Sequence, residues 1–278
     1  MNAPALKAAL APSPESQRLS PRIAQIAAAV YMMIADGQIS ERESGKLQAL
    51  VDDNDRLLGR ALDYVGQVPA EQFVTDAVAS LDGPQRQTVL LTACDAAMDD
   101  GRLDAAANAL LERMAAAFGL PNDTLHAAMQ TLSAKTRLSA LGKSGEVMGT
   151  DRPTPRVALV VCALYLFASD RASGGRKISR LVGQFADSAE LLKTALRFAA
   201  QGQVQTFLVG VARHLSDDQK LCILLNLADA MLADHLLSGA KSRLFKRMLE
   251  AFGHSENRFR SSLQLLALKN DVLPDGAE

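Results

Sequence analysis

Residues 29–40 read AVYMMIADGQIS, and residues 163–174 read ALYLFASDRASG. Each stretch has an apolar run, a Tyr five residues before an Asp, and turn-forming residues after that Asp. An apolar helical run that stops at Asp and small polar residues is typical of a helix that ends in a turn. The pattern therefore predicts a helix–turn–helix unit that occurs twice in the chain.

The likeness of these two stretches extends over most of the chain. A shift of 134 positions aligns residues 20–136 with residues 154–270 without a gap, and about 33 of the 117 aligned pairs are identical. RMAAAFG at 113–119, for example, aligns with RMLEAFG at 247–253. Self-similarity over such a long period indicates a duplicated domain.

Stretches rich in small and polar residues predict the domain boundaries. Residues 137–154 are rich in Gly, Ser and Pro and are expected to form a linker. We therefore expect one domain at 20–136 and a second at 155–270. Residues 1–19 are expected to be disordered or loosely attached, and residues 271–278 to form a tail.

The composition favours an all-helical protein. Of the 278 residues 48% are hydrophobic but only 4% are aromatic, and Ala and Leu dominate. We expect an all-α fold of two tandem bundles, each with six or seven short helices and no strands. The longest apolar run, at 157–168, is too short to span a bilayer. Three widely spaced cysteines suggest no disulfide framework, and we expect a cytoplasmic protein.

Two segments of the first copy resemble a known family. IADGQISERESGKLQALV at 34–51 and MDDGRLDAAANALLERMAAAFGL at 98–120 are similar to the two helix–turn–helix segments of TerB-like domains. The best-known member of that family is a bacterial tellurite-resistance protein. The resemblance covers 21–136 and reaches 155–270 through the duplication. It implies a compact all-α fold and a non-enzymatic stress-response module that binds a divalent metal through acids near the turns.

Acidic residues lie around both turns of the first copy. If the two turns converge in space, these carboxylates supply the oxygen ligands that Ca²⁺ or Mg²⁺ requires. The candidate metal ligands are Asp36, Glu43, Asp99, Asp100 and Asp104. The alternative is that these residues only begin and end helices, with Glu43 in a capping box and Asp104 as an N-cap.

The second copy has lost this acidic pattern. Basic residues stand at four equivalent positions: Lys177 aligns with Glu43, Lys241 with Ala107, Arg171 with Gly37 and His235 with Gly101. Members of the family commonly have a Glu where Ala107 and Lys241 stand. The resemblance therefore implies a metal site in the first copy alone, with one ligand missing.

Two acids inside helices are better explained by structure. Asp95 and its counterpart Asp229 fall on apolar helix faces, where an unpaired carboxylate is costly. Structural ion pairs of Asp95 with Arg113 and of Asp229 with Arg247 are expected, with Arg22 and Arg156 as further candidate partners. Tyr31 and Tyr165 are expected to be core residues whose hydroxyl groups meet a polar partner.

No motif for catalysis stands out. GKS at 142–144 lacks the first Gly of a phosphate-binding loop, and the four His residues show no metal-ligand spacing. No Ser, Cys and His arrangement suggests an activated nucleophile. We therefore expect a protein that works by binding, and no enzyme.

The charges of the two copies are opposite. Residues 21–136 hold 9 basic and 16 acidic residues, a net charge of −7, whereas residues 155–270 hold 16 and 9, a net charge of +7. The copies could attract each other within one chain or in a homo-oligomer, or each could bind its own partner. The basic stretch KSRLFKR supplies candidate partner-binding residues: Lys241, Arg243, Lys246 and Arg247.

Three functional hypotheses follow from these observations. The leading one is a tandem TerB-like stress-response protein, with a cation site in the first copy and a docking or pairing domain in the second. The alternative is a metal-independent helical adaptor for other proteins. Nucleic-acid binding by residues 155–270 is the least favoured, because few aromatic residues are available to stack on bases.

Overall fold

A computed structural model describes residues 19–35, 41–51, 54–99, 102–142, 152–168, 170, 173–233 and 239–275, except the side chains of residues 41–43, 49 and 99. Within these residues the chain forms fourteen α-helices, which confirms the all-α prediction. The first seven are α1 (Pro21–Met33), α2 (Glu41–Val51), α3 (Asp55–Gln67), α4 (Ala70–Ser80), α5 (Gly83–Ala97), α6 (Ala105–Ala117) and α7 (Asn122–Thr136). A 3₁₀ helix at Leu138–Leu141 precedes the others: α8 (Pro155–Phe167), α9 (Gly174–Val182), α10 (Ser188–Gln201), α11 (Val204–Ala212), α12 (Asp217–Leu232), α13 (Gly239–Ala251) and α14 (Glu256–Lys269).

The helix order repeats with the period seen in the sequence. Five helices of the first set begin 134 residues before their counterparts: α1 and α8, α4 and α11, α5 and α12, α6 and α13, and α7 and α14. The remaining two pairs, α2 with α9 and α3 with α10, differ from this spacing by one residue. Both copies therefore fold into the same succession of helices.

The signals that begin and end these helices are also repeated. Asp82 and Gln85 exchange side-chain to backbone hydrogen bonds at the start of α5, and Ser216 and Gln219 do the same at the start of α12. Gly119 follows α6 with φ of 70°, and Gly253 follows α13 with φ of 79°. Only Gly adopts this backbone conformation at no steric cost, so it terminates both helices.

One short strand pair departs from the expectation of no strands. Met98 pairs with Leu103, and Asp99 pairs with Arg102, in a two-stranded antiparallel ladder. The two strands flank residues 100–101 in the sequence, at a place where the sequence predicted only a turn between helices. Because each strand has only two residues, the fold class is unchanged.

The chain divides into two compact units that differ from the predicted domains. Of the described residues, those within 19–97, 104–125 and 272–275 form unit 1, and those within 98–103 and 126–271 form unit 2. The boundary thus falls inside α7, ahead of the predicted linker. Part of that linker is itself packed: Leu138 and Leu141 are buried in unit 2, because their side chains are apolar.

Unit 1 is built around α1. Every residue from Arg22 to Met33 is buried, and α2, α3 and α5 pack around this helix. A helix that is buried on all sides needs apolar residues all round, which the IAQIAAAVYMM sequence supplies. In the core, the rings of Tyr31 and Phe73 pack together with their centroids 5.0 Å apart.

The segment Val272–Asp275 completes unit 1. Leu273 is buried, and its backbone N–H donates to Gln25 Oε1 at 3.4 Å. The Arg22 N–H donates to the Pro274 carbonyl at 3.1 Å, and Arg60 forms an ion pair with Asp275 at 2.8 Å. These residues are therefore packed against α1 and α3, in a part of the chain that the sequence assigned to a tail.

Unit 2 is built around α8 in the same manner. Ten of its thirteen residues are buried, and α9, α10, α12 and α13 pack around it. Tyr165 and Phe207, the counterparts of Tyr31 and Phe73, make an edge-to-face contact at 5.9 Å between centroids. Both units thus share a central apolar helix and a Tyr–Phe contact.

Candidate functional site

The turn after α8 places Asp170 where the sequence predicted the counterpart of a metal ligand. The Asp170 N–H donates to the Phe167 carbonyl at 2.9 Å, and the Asp170 carbonyl accepts from the Gly174 N–H at 2.9 Å. A Cβ atom at Gly174 would lie 2.0 Å from the Phe167 carbonyl oxygen. Only Gly therefore allows α9 to begin so close to the end of α8.

Lys241, in the first turn of α13, reaches this turn. Its Nζ lies 2.5 Å from Asp170 Oδ2, and the same oxygen accepts a hydrogen bond from Ser173 Oγ at 3.0 Å. The Lys241 side chain is 13% exposed and that of Asp170 is 22% exposed. Asp170, in the segment after α8, and Lys241, at the start of α13, therefore meet in unit 2.

A second lysine lies beside this ion pair. Lys177 on α9 is buried, and its Nζ lies 5.1 Å from the centroid of the Phe167 ring. The pKa of Asp170 is held below its usual range, chiefly by the hydrogen bonds from Lys241 and Ser173 and further by the charges of Lys241 and Lys177. Asp170 is therefore a carboxylate that two ammonium groups keep ionised. We name Asp170, Ser173, Lys177 and Lys241 the lysine-filled turn.

The candidate metal ligands of the first copy lie largely outside the described residues. This holds for Asp36 and Asp100 and for the side chains of Glu43 and Asp99. Asp104 is exposed and accepts a hydrogen bond from the Ala106 N–H at 2.7 Å, as an N-cap does. In the described part of the chain, no three His, Cys, Asp or Glu side chains are grouped closely enough to hold a metal ion.

Asp229 forms a structural ion pair, but with partners other than the expected Arg247. Its two oxygens accept from Lys135 Nζ and Lys269 Nζ, each at 2.9 Å, and Asn270 Nδ2 donates to it at 2.8 Å. The two lysine side chains are only 9% and 12% exposed, so they lie within the packed unit, whereas Arg247 is exposed. The sequence does carry a signal for these partners, because Lys135 and Lys269 are identical residues at equivalent positions of the two copies.

The expected partner of Asp95 is also placed elsewhere. Arg113 forms an exposed ion pair with Glu71 at 2.9 Å, while Asp95 is half-buried on α5. Arg22 and Arg156, the further candidate partners of Asp95 and Asp229, make other contacts. Arg22 donates to the Leu50 carbonyl, and Arg156 forms an ion pair with Asp187 at 3.4 Å.

The two repeated tyrosines differ in their hydroxyl contacts. Tyr31 is buried and donates to the Val68 carbonyl at 2.5 Å, as expected. The Tyr165 hydroxyl is buried and has no hydrogen-bond partner among the described residues, contrary to the expectation. Burial raises the pKa of both groups, that of Tyr31 to about 12.

The basic residues of α13 do not form one surface. Lys241 is bound to Asp170, and Lys246 pairs with Glu256 at 3.2 Å. Arg243 and Arg247 are exposed. Of the four candidate partner-binding residues, Lys241 therefore contributes to the interior of unit 2 and the two arginines to its surface.

One comparison with known proteins gives a match, and it covers the first repeat. Residues 22–130 match the family model of the tellurite resistance protein TerB. The likeness of the second repeat to the first depends on the internal alignment and on the repeated helix order. No curated protein and no solved structure matches the chain. Over the residues that the structure describes, no helix combines the length and apolar character needed to cross a membrane.

Proposed function

We propose that this chain is a non-enzymatic, cytoplasmic stress-response protein of bacteria whose TerB-like first repeat binds a divalent cation, Ca²⁺ or Mg²⁺. The second repeat serves as a docking or pairing domain. The family match at 22–130 supports the assignment, and the contact between Lys241 and Asp170 supports the cation site.

The contact supports the site because it joins two repeated positions. Asp170 aligns with Asp36, and Lys241 aligns with Ala107. Since the helices α1, α6, α8 and α13 begin at matching positions of the two copies, we expect residues near position 36 to approach the start of α6. The acids around the two turns of the first repeat would then share one site.

The acidic residues expected at that site favour the binding of a cation. In the second repeat, two ammonium groups accompany one carboxylate. In the first repeat Glu43 and Ala107 replace these lysines, and Asp99, Asp100 and Asp104 add further acids. Neighbouring carboxylates repel one another unless a cation or protons neutralise them. A donor set made only of oxygen atoms suits Ca²⁺ or Mg²⁺, and the residues present therefore fit such an ion.

Calorimetric titration of the full chain with CaCl₂ and MgCl₂ tests the cation site. We expect saturable heat from the natural protein and none from the variant Asp36→Asn/Asp100→Asn. The control is Asp217→Asn/Asp218→Asn, which removes the same charge from the exposed first turn of α12 and should retain the heat. An absence of heat at millimolar metal would eliminate cation binding.

A metal-independent adaptor is the second candidate function. It is favoured by the net charge of +7 in residues 155–270 and by the exposed Arg243 and Arg247 on α13. The variant Arg243→Glu/Arg247→Glu should then abolish capture of a protein partner, with or without chelator. Retention on DNA or RNA in a gel shift, weakened by salt, would instead favour nucleic-acid binding.

A further inference from the structure

We propose that the second repeat contains its own cation: the ammonium groups of Lys241 and Lys177 stand where the first repeat binds a metal ion. The lysine-filled turn is therefore closed to divalent metal, and unit 2 needs none. The comparison with a metal ion rests on the function proposed for the first repeat, whereas the closure of unit 2 depends on its own contacts.

Lys241 and Ser173 fill the acceptor sites of one Asp170 oxygen, Oδ2. The Lys241 Nζ lies 2.5 Å from Oδ2, a distance within the range at which Ca²⁺ binds carboxylate oxygen. The same oxygen also accepts from Ser173 Oγ at 3.0 Å. A metal ion could bind this oxygen only by displacing a charged group that is largely buried.

Lys177 adds a second positive charge. It is buried on α9 beside the Phe167 ring, and its charge acts on Asp170 together with that of Lys241. A divalent cation entering this turn would face two ammonium groups and one carboxylate. The site therefore repels a second cation as long as both lysines are charged.

The contacts also perform the structural work of a bound metal. Asp170 follows α8, Ser173 precedes α9 and Lys241 lies on α13, so hydrogen bonds to one carboxylate join three segments of unit 2. A structural metal ion does the same by gathering ligands from separate segments. In unit 2 side chains of the chain itself provide this link, so chelators should have no effect on it.

The first test uses the natural protein. The carboxyl carbon of Asp170 and the ammonium nitrogen of Lys241 are followed by NMR while CaCl₂ or MgCl₂ is added to millimolar concentration. We expect neither signal to shift. A saturable shift of the Asp170 signal would overturn the proposal, whether or not the first repeat binds metal.

The second test gives unit 2 the residues of the first repeat at positions 177 and 241. The variant Lys177→Glu/Lys241→Ala should bind one more Ca²⁺ per chain than the natural protein by calorimetry, and adding Asp170→Asn should remove that gain. Lys193→Glu/Lys246→Ala makes the same charge change at exposed positions and should add no site. An unchanged stoichiometry in a variant that circular dichroism shows to be helical would overturn the proposal.

The two proposals fail in different ways. If the first repeat binds no metal, the natural protein gives no heat, but the Lys177→Glu/Lys241→Ala variant still gains one site. If the closure of unit 2 is wrong, the natural protein shows a metal-dependent shift at Asp170. Should the variant fail to fold, the NMR titration of the natural protein decides.

Discussion

Lys135 and Lys269 occupy the same position in the two repeats, and both bind Asp229, one to each carboxylate oxygen at 2.9 Å. The replacement Asp229→Ala would leave two nearly buried ammonium groups without this carboxylate. We expect the free energy of unfolding to fall by about 3 kcal/mol in urea denaturation, because breaking a buried ion pair exposes the cost of the remaining charges.

An exposed ion pair provides the control for that prediction. Lys193 and Glu190 lie 3.7 Å apart, and their side chains are 80% and 74% exposed. Lys193→Ala should change the free energy of unfolding by less than about 0.5 kcal/mol. Equal effects of the two replacements would show that Asp229 has no special structural role.

The three tyrosines should resist ionisation while the protein is folded. Burial raises the pKa of Tyr31 to about 12 and also raises that of Tyr165 and of Tyr64, which donates to Asp76 at 2.8 Å. A tyrosine whose pKa is raised by folding contributes to the free energy of unfolding, and this contribution is complete at pH values below the unfolded pKa of 10.0. For Tyr31 the contribution is lost as the pH rises through about 12.

Ultraviolet absorbance of tyrosinate measures this effect directly, because the chain has three Tyr and no Trp. At pH 10 the folded protein should show far less than the half-ionised signal of the chain in denaturant. Equal signals from the folded and the denatured protein would contradict the expected burial of these hydroxyl groups.

The close approach at Gly174 predicts a sharp difference between neighbouring glycines. Gly174→Ala should destabilise the protein by roughly 1–3 kcal/mol, because its Cβ would meet the Phe167 carbonyl and force the backbone to shift. A Cβ at Gly175, one residue on in α9, would meet nothing within 4 Å. Gly175→Ala should therefore be neutral or stabilise by up to about 1 kcal/mol in thermal unfolding.

The segment that completes unit 1 allows a similar comparison. Leu273 is 6% exposed, and Leu273→Ala should cost roughly 2–5 kcal/mol by removing buried methyl groups. The adjacent Val272 is 58% exposed, and Val272→Ala should change the stability by less than about 0.5 kcal/mol in the same urea denaturation. A negligible effect of Leu273→Ala would show that the segment does not contribute to unit 1.

Local patterns in the sequence predicted the helices well. The apolar runs that precede Asp36 and Asp170, and the N-cap residue Asp104, specify helix ends through interactions a few residues apart. The duplication predicted the matching helix order. Such features are readable because each depends on the chain near it.

Long-range partners could not be predicted in the same way. Arg247 is near enough in sequence to suggest a partner for Asp229, but Lys135 reaches it from 94 residues away. The sequence likewise marked Lys177 and Lys241 as replacements for acids, without indicating that Lys241 would bind Asp170. Charge pairs of this kind depend on how helices pack, which neither spacing nor composition records.

The return of Val272–Asp275 to the first helix has a consequence for how the protein is made. Leu273 binds Gln25 across a separation of 248 residues. A ribosome must therefore finish all of unit 2 before it supplies the piece that closes unit 1, and the first-made half of the polypeptide waits for its last contacts. Until Val272–Asp275 has been synthesised, the part of α1 that carries Arg22 and Gln25 lacks these contacts.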